Sequence, residues 1–155
     1  MNEVVARRLA ALDRILAGCA PAALALSGGV DSMTLAFVAH RLSGSEATVF
    51  HAVSPAVPAK ASARVRDYAQ RCGWRLEVID AGEFRDPDYL RNPSNRCFFC
   101  KTNLYGAIAA RTEAQIASGT NLDDLDDWRP GLAAARNHAV RHPYVEAGID
   151  KAGVR

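Results

Sequence analysis

Leu26-Ser27-Gly28-Gly29-Val30-Asp31-Ser32 decides the fold. It follows a short apolar run, 22–26, and precedes a segment of helical pattern, 33–42. Strand, glycine-rich turn and helix in that order make a phosphate cradle. Paired glycines let the backbone take positive φ and bring its N–H groups close to an anion. The helix start adds N–H donors that lack intrahelical partners, and the positive end of a dipole. Ser27 and Ser32 supply hydroxyl donors, and Asp31 is placed to cap the helix or to help hold Mg2+. No lysine follows the glycines, which excludes a Walker A loop. A corner whose glycines serve only the turn is the plain alternative, and the six-residue pattern in its context outweighs it.

The flanking chain alternates strands and helices. Val4, Val5, Leu9, Leu12 and Leu16 recur at helical spacing and predict an amphipathic opening helix ending near Gly18. Cys19 reads as a small buried filler, Cys72 as a packing residue and His40 as a partly exposed surface residue. Strands are expected over 22–26, 47–53, 74–79 and 115–118, with helices over 33–42, 59–72, 102–111, 132–140 and 146–155. His142-Pro143 interrupts the last two. This alternation, with short links, predicts a doubly wound parallel α/β sheet in a single domain over residues 1–155.

Ligands of open α/β sheets sit at the carboxyl ends of the strands. Ser54, just past the second strand, and Gly119, Thr120 and Asn121, just past the fourth, are therefore candidate contacts for an adenine or ribose. Asp123 and Asp124 follow as candidate carboxylates for phosphate-bound Mg2+. A plain turn at Ser54 and a solvated acidic turn at 123–127 are the competing readings.

The remaining chemistry lies in Asn92-Pro93-Ser94-Asn95-Arg96-Cys97-Phe98-Phe99-Cys100-Lys101, reached through a long irregular stretch, 80–95. A loop of that length in a compact domain is usually functional or mobile. Cys97 and Cys100, three apart, face the same way on a helix's first turn, where the backbone dipole, Arg96 and Lys101 favour thiolate. Such a pair suits half of a zinc site, most of an iron–sulfur site, or a nucleophile with its resolving partner. Two thiols that merely pack are the alternative.

Composition bounds the rest. The chain has 155 residues, enough for a core without staples, with 49% apolar and 23% charged residues. Lys plus Arg number 19 against 17 acidic residues, a net charge of +2 that argues against nucleic acid and acidic membranes as partners. No apolar stretch approaches the roughly 18 residues of a membrane span. The charged, helical opening is not of signal-peptide type, and four cysteines without such a signal point to a reducing cytoplasm.

Ser-Gly-Gly-Val-Asp-Ser resembles the PP-loop of the N-type ATP pyrophosphatases, which have an adenine nucleotide alpha hydrolase-like fold. Taken with the segments 92–101 and 118–131, and with 142–151, it is similar to the LarE family of ATP-dependent sacrificial sulfur transferases. The resemblance implies ATP and Mg2+ at Ser27, Gly28, Gly29, Val30, Asp31 and Ser32, with Arg129 a further nucleotide contact. It implies adenylation of a pyridinium dicarboxylate mononucleotide, as in the making of a nickel-pincer nucleotide cofactor. A cysteine thiolate then attacks the adenylate, and loss of that cysteine's sulfur leaves a thiocarboxylate and dehydroalanine. In other members an iron–sulfur cluster at the pair matching Cys97 and Cys100 delivers the sulfur.

Family members continue past the position of Arg155 into a part that carries a further cysteine. The resemblance therefore leaves open a shortened enzyme, a homo-oligomer, or a partner chain that completes this region. Two other classes compete. One is another PP-loop adenylating enzyme, an ammonia-using amide ligase or a tRNA thiolase. The other is a domain that binds ATP or AMP without turnover.

Overall fold

The computed structural model describes residues 3–43, 47–53, 59–79, 96–125 and 139–154, and over 42–43, 96–103 and 124–125 the backbone alone. Four short strands form one parallel sheet. They are β1 (Ala22–Leu26), β2 (Ala47–Ala52), β3 (Arg75–Ile79) and β4 (Gln115–Ala117), in spatial order β3-β2-β1-β4. The helices are α1 (Glu3–Cys19), α2 (Val30–Ser43), α3 (Ala59–Cys72), α4 (Arg96–Arg111), α5 (Pro143–Glu146) and α6 (Lys151–Val154).

β1 is apolar throughout because it is covered on both faces. Leu24 points into one core layer with Leu12 and Leu16 of α1, Leu35, Ala36 and Ala39 of α2, and Val65 and Ala69 of α3. Ala23 points into the other, with Phe50, Ile79, Ile116 and the α4 residues Leu104, Tyr105 and Ile108. The register agrees, since Leu24 pairs with Val49 and Ala117 while Ala23 pairs with Ile116. The expected doubly wound parallel α/β fold is what the chain adopts.

That topology fixes where a site can form. The chain steps outward from β1 through β2 to β3 and then returns to place β4 on the other side of β1. The order reverses between β1 and β4, and the crevice at their carboxyl ends is the switch point where such sheets bind ligands.

Several local expectations are corrected. Val4 and Val5 are exposed, so the buried stripe of α1 is Leu12, Leu16 and Cys19. Cys19 is buried as expected, but Cys72 is exposed; Trp74, and not Cys72, continues the stripe of Val65 and Ala69. α2 begins three residues early, at Val30, and α4 six residues early, at Arg96, which puts both cysteines of the pair on it. The single helix expected over 146–155 is two short ones, α5 and α6, because the chain turns at Gly148 with φ +71 and Ile149 N–H closes back on Tyr144 C=O at 2.8 Å. Ala139 and Val140 are not helical, and the rest of the helix expected over 132–140, like the irregular stretch 80–95, lies outside the described residues.

Candidate active site

The loop between β1 and α2 is built as a donor-lined corner. Gly28 has φ +92, a conformation side chains disfavour, and a Cβ there would lie 2.9 Å from Ala61 C=O of α3. Arg64, one turn on, donates to Gly28 C=O at 2.6 Å. α3 thus clamps the loop from behind and sets a guanidinium beside it. Ser27 N–H donates to Ser32 Oγ at 3.2 Å, and the two hydroxyls lie 3.3 Å apart. Helical bonding starts with Met33 N–H to Gly29 C=O at 3.1 Å. The N–H groups of Val30, Asp31 and Ser32 precede that bond and belong to the helix's unpaired first turn.

The β4 end meets this corner directly. A Cβ on Gly119 would sit 2.8 Å from Ser32 N and 2.9 Å from its Cα. Asn121, wholly buried, donates from Nδ2 to Asp31 Oδ2 at 2.9 Å and accepts at Oδ1 from Asp123 N–H at 2.9 Å. Among the described residues, the other carboxylate oxygen of Asp31, Oδ1, is buried without a hydrogen-bond partner. Tyr144, 1% exposed, donates its hydroxyl to Asp31 C=O at 2.7 Å. Burial, and to a lesser extent the Asp31 carboxylate, push its phenol well above the ordinary tyrosine range, so it stays a donor.

Of the residues expected at the site, Ser27, Gly28, Gly29, Val30, Asp31, Ser32, Gly119, Thr120 and Asn121 cluster at the switch point. Thr120 is tied to Ser118, whose hydroxyl lies 3.0 Å from Thr120 Oγ1 and 2.6 Å from His142 Nδ1. Asp123 is held to Asn121 through its N–H and has a partner of its own. Its Oδ2 accepts from Lys151 N–H at 3.1 Å and caps α6. Asp124 shares the 3-10 turn Leu122–Leu125. Ser54 and Arg129 lie outside the described residues.

The cysteine pair comes to the same edge by topology. α4 leads through three residues into β4 and packs on the sheet, so it runs back against the strand direction. Its first turn, with Cys97 and Cys100, therefore starts at the carboxyl edge. Cys19 and the end of α3 at Cys72 fall at the amino edge. There an open groove of about 640 Å³, lined by Cys19, Arg75 and Glu113 among others, takes in none of the motif residues.

Sequence reasoning missed His51, Arg64, Ser118, His142 and Tyr144. His51, fully buried, donates from Nδ1 to Leu26 C=O at 2.8 Å and meets Ser62 Oγ at 2.9 Å through Nε2. It fastens the end of β1 to α3. A histidine ending an apolar strand on the ligand-binding edge was a readable signal; the reach of Arg64 left none.

Residues 7–92, more than half of the chain, match the family model described as asparagine synthase. The chain belongs to the asparagine synthase family. That family falls in the PP-loop ATP pyrophosphatase superfamily, whose members use ATP. Beyond the family match, an uncharacterized protein of Synechocystis sp. is 38% identical over 148 residues, 93% of this chain and 53% of that one. The chain spans about half the length of the curated relatives it matches. The NH3-dependent NAD synthetase of Campylobacter jejuni superposes with a TM-score of 0.63 at 12% identity, over 81% of this chain and 59% of that one. A predicted subunit of tRNA methyltransferase from Methanocaldococcus jannaschii gives a TM-score of 0.59 at 16% identity, over 86% and 71%. At such identities the likeness shows the fold alone. Among the described residues no helix is long and apolar enough to cross a membrane, and no three His, Cys, Asp or Glu side chains group as for a metal.

Proposed function

We propose that this chain adenylates a substrate carboxylate with ATP, releases pyrophosphate, and passes the acyl group to sulfur at Cys97 or Cys100. The observation that carries the reading is the convergence of three features on one sheet edge. They are the Ser27–Ser32 corner, the Gly119–Asn121 segment, and the first turn of α4 with its two cysteines. The first-turn N–H groups of α2 and the hydroxyls of Ser27 and Ser32 bind phosphate oxygens. Gly119 lets the end of β4 pack directly on the Ser32 backbone, which a side chain would push away.

Asp31 suits Mg2+, since a buried carboxylate oxygen without a partner among the described residues is a ready hard ligand, and one carboxylate plus substrate phosphates is the usual Mg2+ set. Mg2+ when bound neutralises phosphate charge and eases departure of pyrophosphate. A cysteine thiolate then forms the acyl–sulfur bond as the bond to AMP breaks, and AMP leaves. Elimination across the cysteine Cα–Cβ bond, with loss of the α-proton, leaves thiocarboxylate and dehydroalanine. A pyridinium dicarboxylate mononucleotide is the proposed substrate. Two thiols on α4 are half the donor set of an iron–sulfur cluster, and Cys19 and Cys72 belong to the opposite edge, so these cysteines do not by themselves fit a cluster. A second copy or a partner chain is proposed to border the cysteines.

The asparagine synthase match and the likeness to an NH3-dependent synthetase favour one other reading, an amide ligase that uses the same adenylate with ammonia. The test is product analysis with MgATP, with and without the mononucleotide and with ammonia. AMP, pyrophosphate and a thiocarboxylate support sulfur transfer. AMP, pyrophosphate and an amide support the ligase, and bound ATP without products overturns both.

A further inference from the structure

We infer that Asn121 and Tyr144 are positioning residues that divide the labour of the Asp31 carboxylate, holding one oxygen so that the other is presented to a divalent cation. Sequence reasoning places Asn121 against the nucleotide itself; its contacts assign it a different task. The side-chain amide is oriented by its acceptor end, because Oδ1 takes the Asp123 N–H at 2.9 Å and only an oxygen can accept there. Nδ2 must then face Asp31, and it donates to Oδ2 at 2.9 Å across 90 residues of sequence. The same residue is anchored from below. Tyr144 donates to Asp31 C=O at 2.7 Å, and the neighbouring Leu122 N–H bonds Ile149 C=O at 3.0 Å.

The carboxylate is therefore fixed at both ends of its residue, with Oδ2 spent and Oδ1 buried without a partner among the described residues. A buried oxygen in that condition is costly unless something else fills its coordination. A hard cation bound to nucleotide phosphates is a group of the right chemistry. The inference rests on the ATP reading above and adds that cation affinity, and not nucleotide recognition, is what Asn121 and Tyr144 secure.

The test uses Mn2+ as the probe, with its free signal read by electron paramagnetic resonance beside an ATP analogue carrying a methylene bridge between the α and β phosphates. Analogue binding is also measured alone in chelator. Asn121→Ala should weaken Mn2+ binding about tenfold and Tyr144→Phe about threefold, each changing metal-free analogue affinity less than twofold. In an Asp31→Ala background neither change should weaken Mn2+ further. Thermal unfolding checks that each variant is folded; if Asn121→Ala is not, Tyr144→Phe carries the test. Unchanged Mn2+ affinity in a folded variant overturns the inference alone. Equal loss of metal-free analogue binding overturns it too, and returns Asn121 to the nucleotide. A wild-type chain that binds neither probe overturns the ATP reading as well.

Discussion

Gly119 lies against Ser32 so closely that a Cβ on the glycine would stand 2.8 Å from the serine's backbone nitrogen. Backbone therefore packs on backbone where β4 meets the Ser27–Ser32 corner, and neither side has a flexible group that can give way. Gly119→Ala should push the start of α2 outward and cost about 1–3 kcal/mol, the usual range for overpacking. Because the displaced atoms include the first-turn N–H donors, ATP affinity should fall by ~10-fold or more, beyond what lost stability explains. Urea unfolding together with a fluorescent ATP titration separates the two effects.

Gly28 meets two obstacles at once, a φ of +92 and the Ala61 carbonyl 2.9 Å from a would-be Cβ. Gly28→Ala should destabilise by about 2 kcal/mol or more, from backbone strain and crowding together. Arg64→Ala leaves the glycine alone but removes the 2.6 Å bond to its carbonyl and the local positive charge. It should weaken ATP binding about tenfold, on the scale of one charge-assisted hydrogen bond, with a smaller change in unfolding free energy. Equal ATP affinity in Arg64→Ala and wild type would show the clamp to be irrelevant to phosphate binding.

The fold was legible because its signals are local. The run 22–26, the glycine pair and the α3 segment each announce their own conformation, and α3 falls where its pattern ends, at Cys72 before Gly73. The corner between β1 and α2 was legible too, since one continuous segment carries it. What escaped depends on chain returning from afar. Tyr144 reaches Asp31 across 113 residues and Arg64 reaches Gly28 across 36, and neither distance leaves a trace in spacing. Asp123 also has a partner that spacing does not reveal. Its place after Asn121 suggests a cation ligand, yet the start of α6 turns its Oδ2 toward Lys151 N–H, a partner that only the fold supplies.

Tyr144 gives stability a pH dependence whose sign is fixed. Its phenol titrates well above the ordinary value of 10 in the folded chain, because burial disfavours the anion. The folded state thus favours the protonated form. That contribution is complete below about pH 10, where the unfolded chain's tyrosine titrates, and is lost as pH rises toward the folded value. Tyr144→Phe removes both the 2.7 Å bond and the titration. At pH 8 it should cost about 1 kcal/mol. Between pH 10 and 11 the gap to wild type should narrow, as wild type alone carries the penalty of this buried phenol. Urea unfolding at the two pH values reads this, and a constant gap would contradict it.

Cys97 and Cys100 stand on the first turn of the helix that opens at the carboxyl edge of the sheet, while the described bonds of the Ser27–Ser32 corner run between other residues. Adenylation and sulfur transfer should therefore separate. The double variant Cys97→Ser, Cys100→Ser should bind MgATP within about twofold of wild type, because the described bonds of the corner run between other residues. In the proposed sulfur transfer it should still form AMP and pyrophosphate, slowly and through hydrolysis of the adenylate. It should form no thiocarboxylate, since a serine hydroxyl is a far weaker nucleophile than a thiolate and carries no sulfur. Mass spectrometry of the protein sharpens the result, because wild type should lose the mass of hydrogen sulfide at one of the two positions after a single turnover. If the variant instead turns over at the wild-type rate with ammonia and makes an amide, the cysteines are bystanders. The chemistry is then that of a ligase on the same fold.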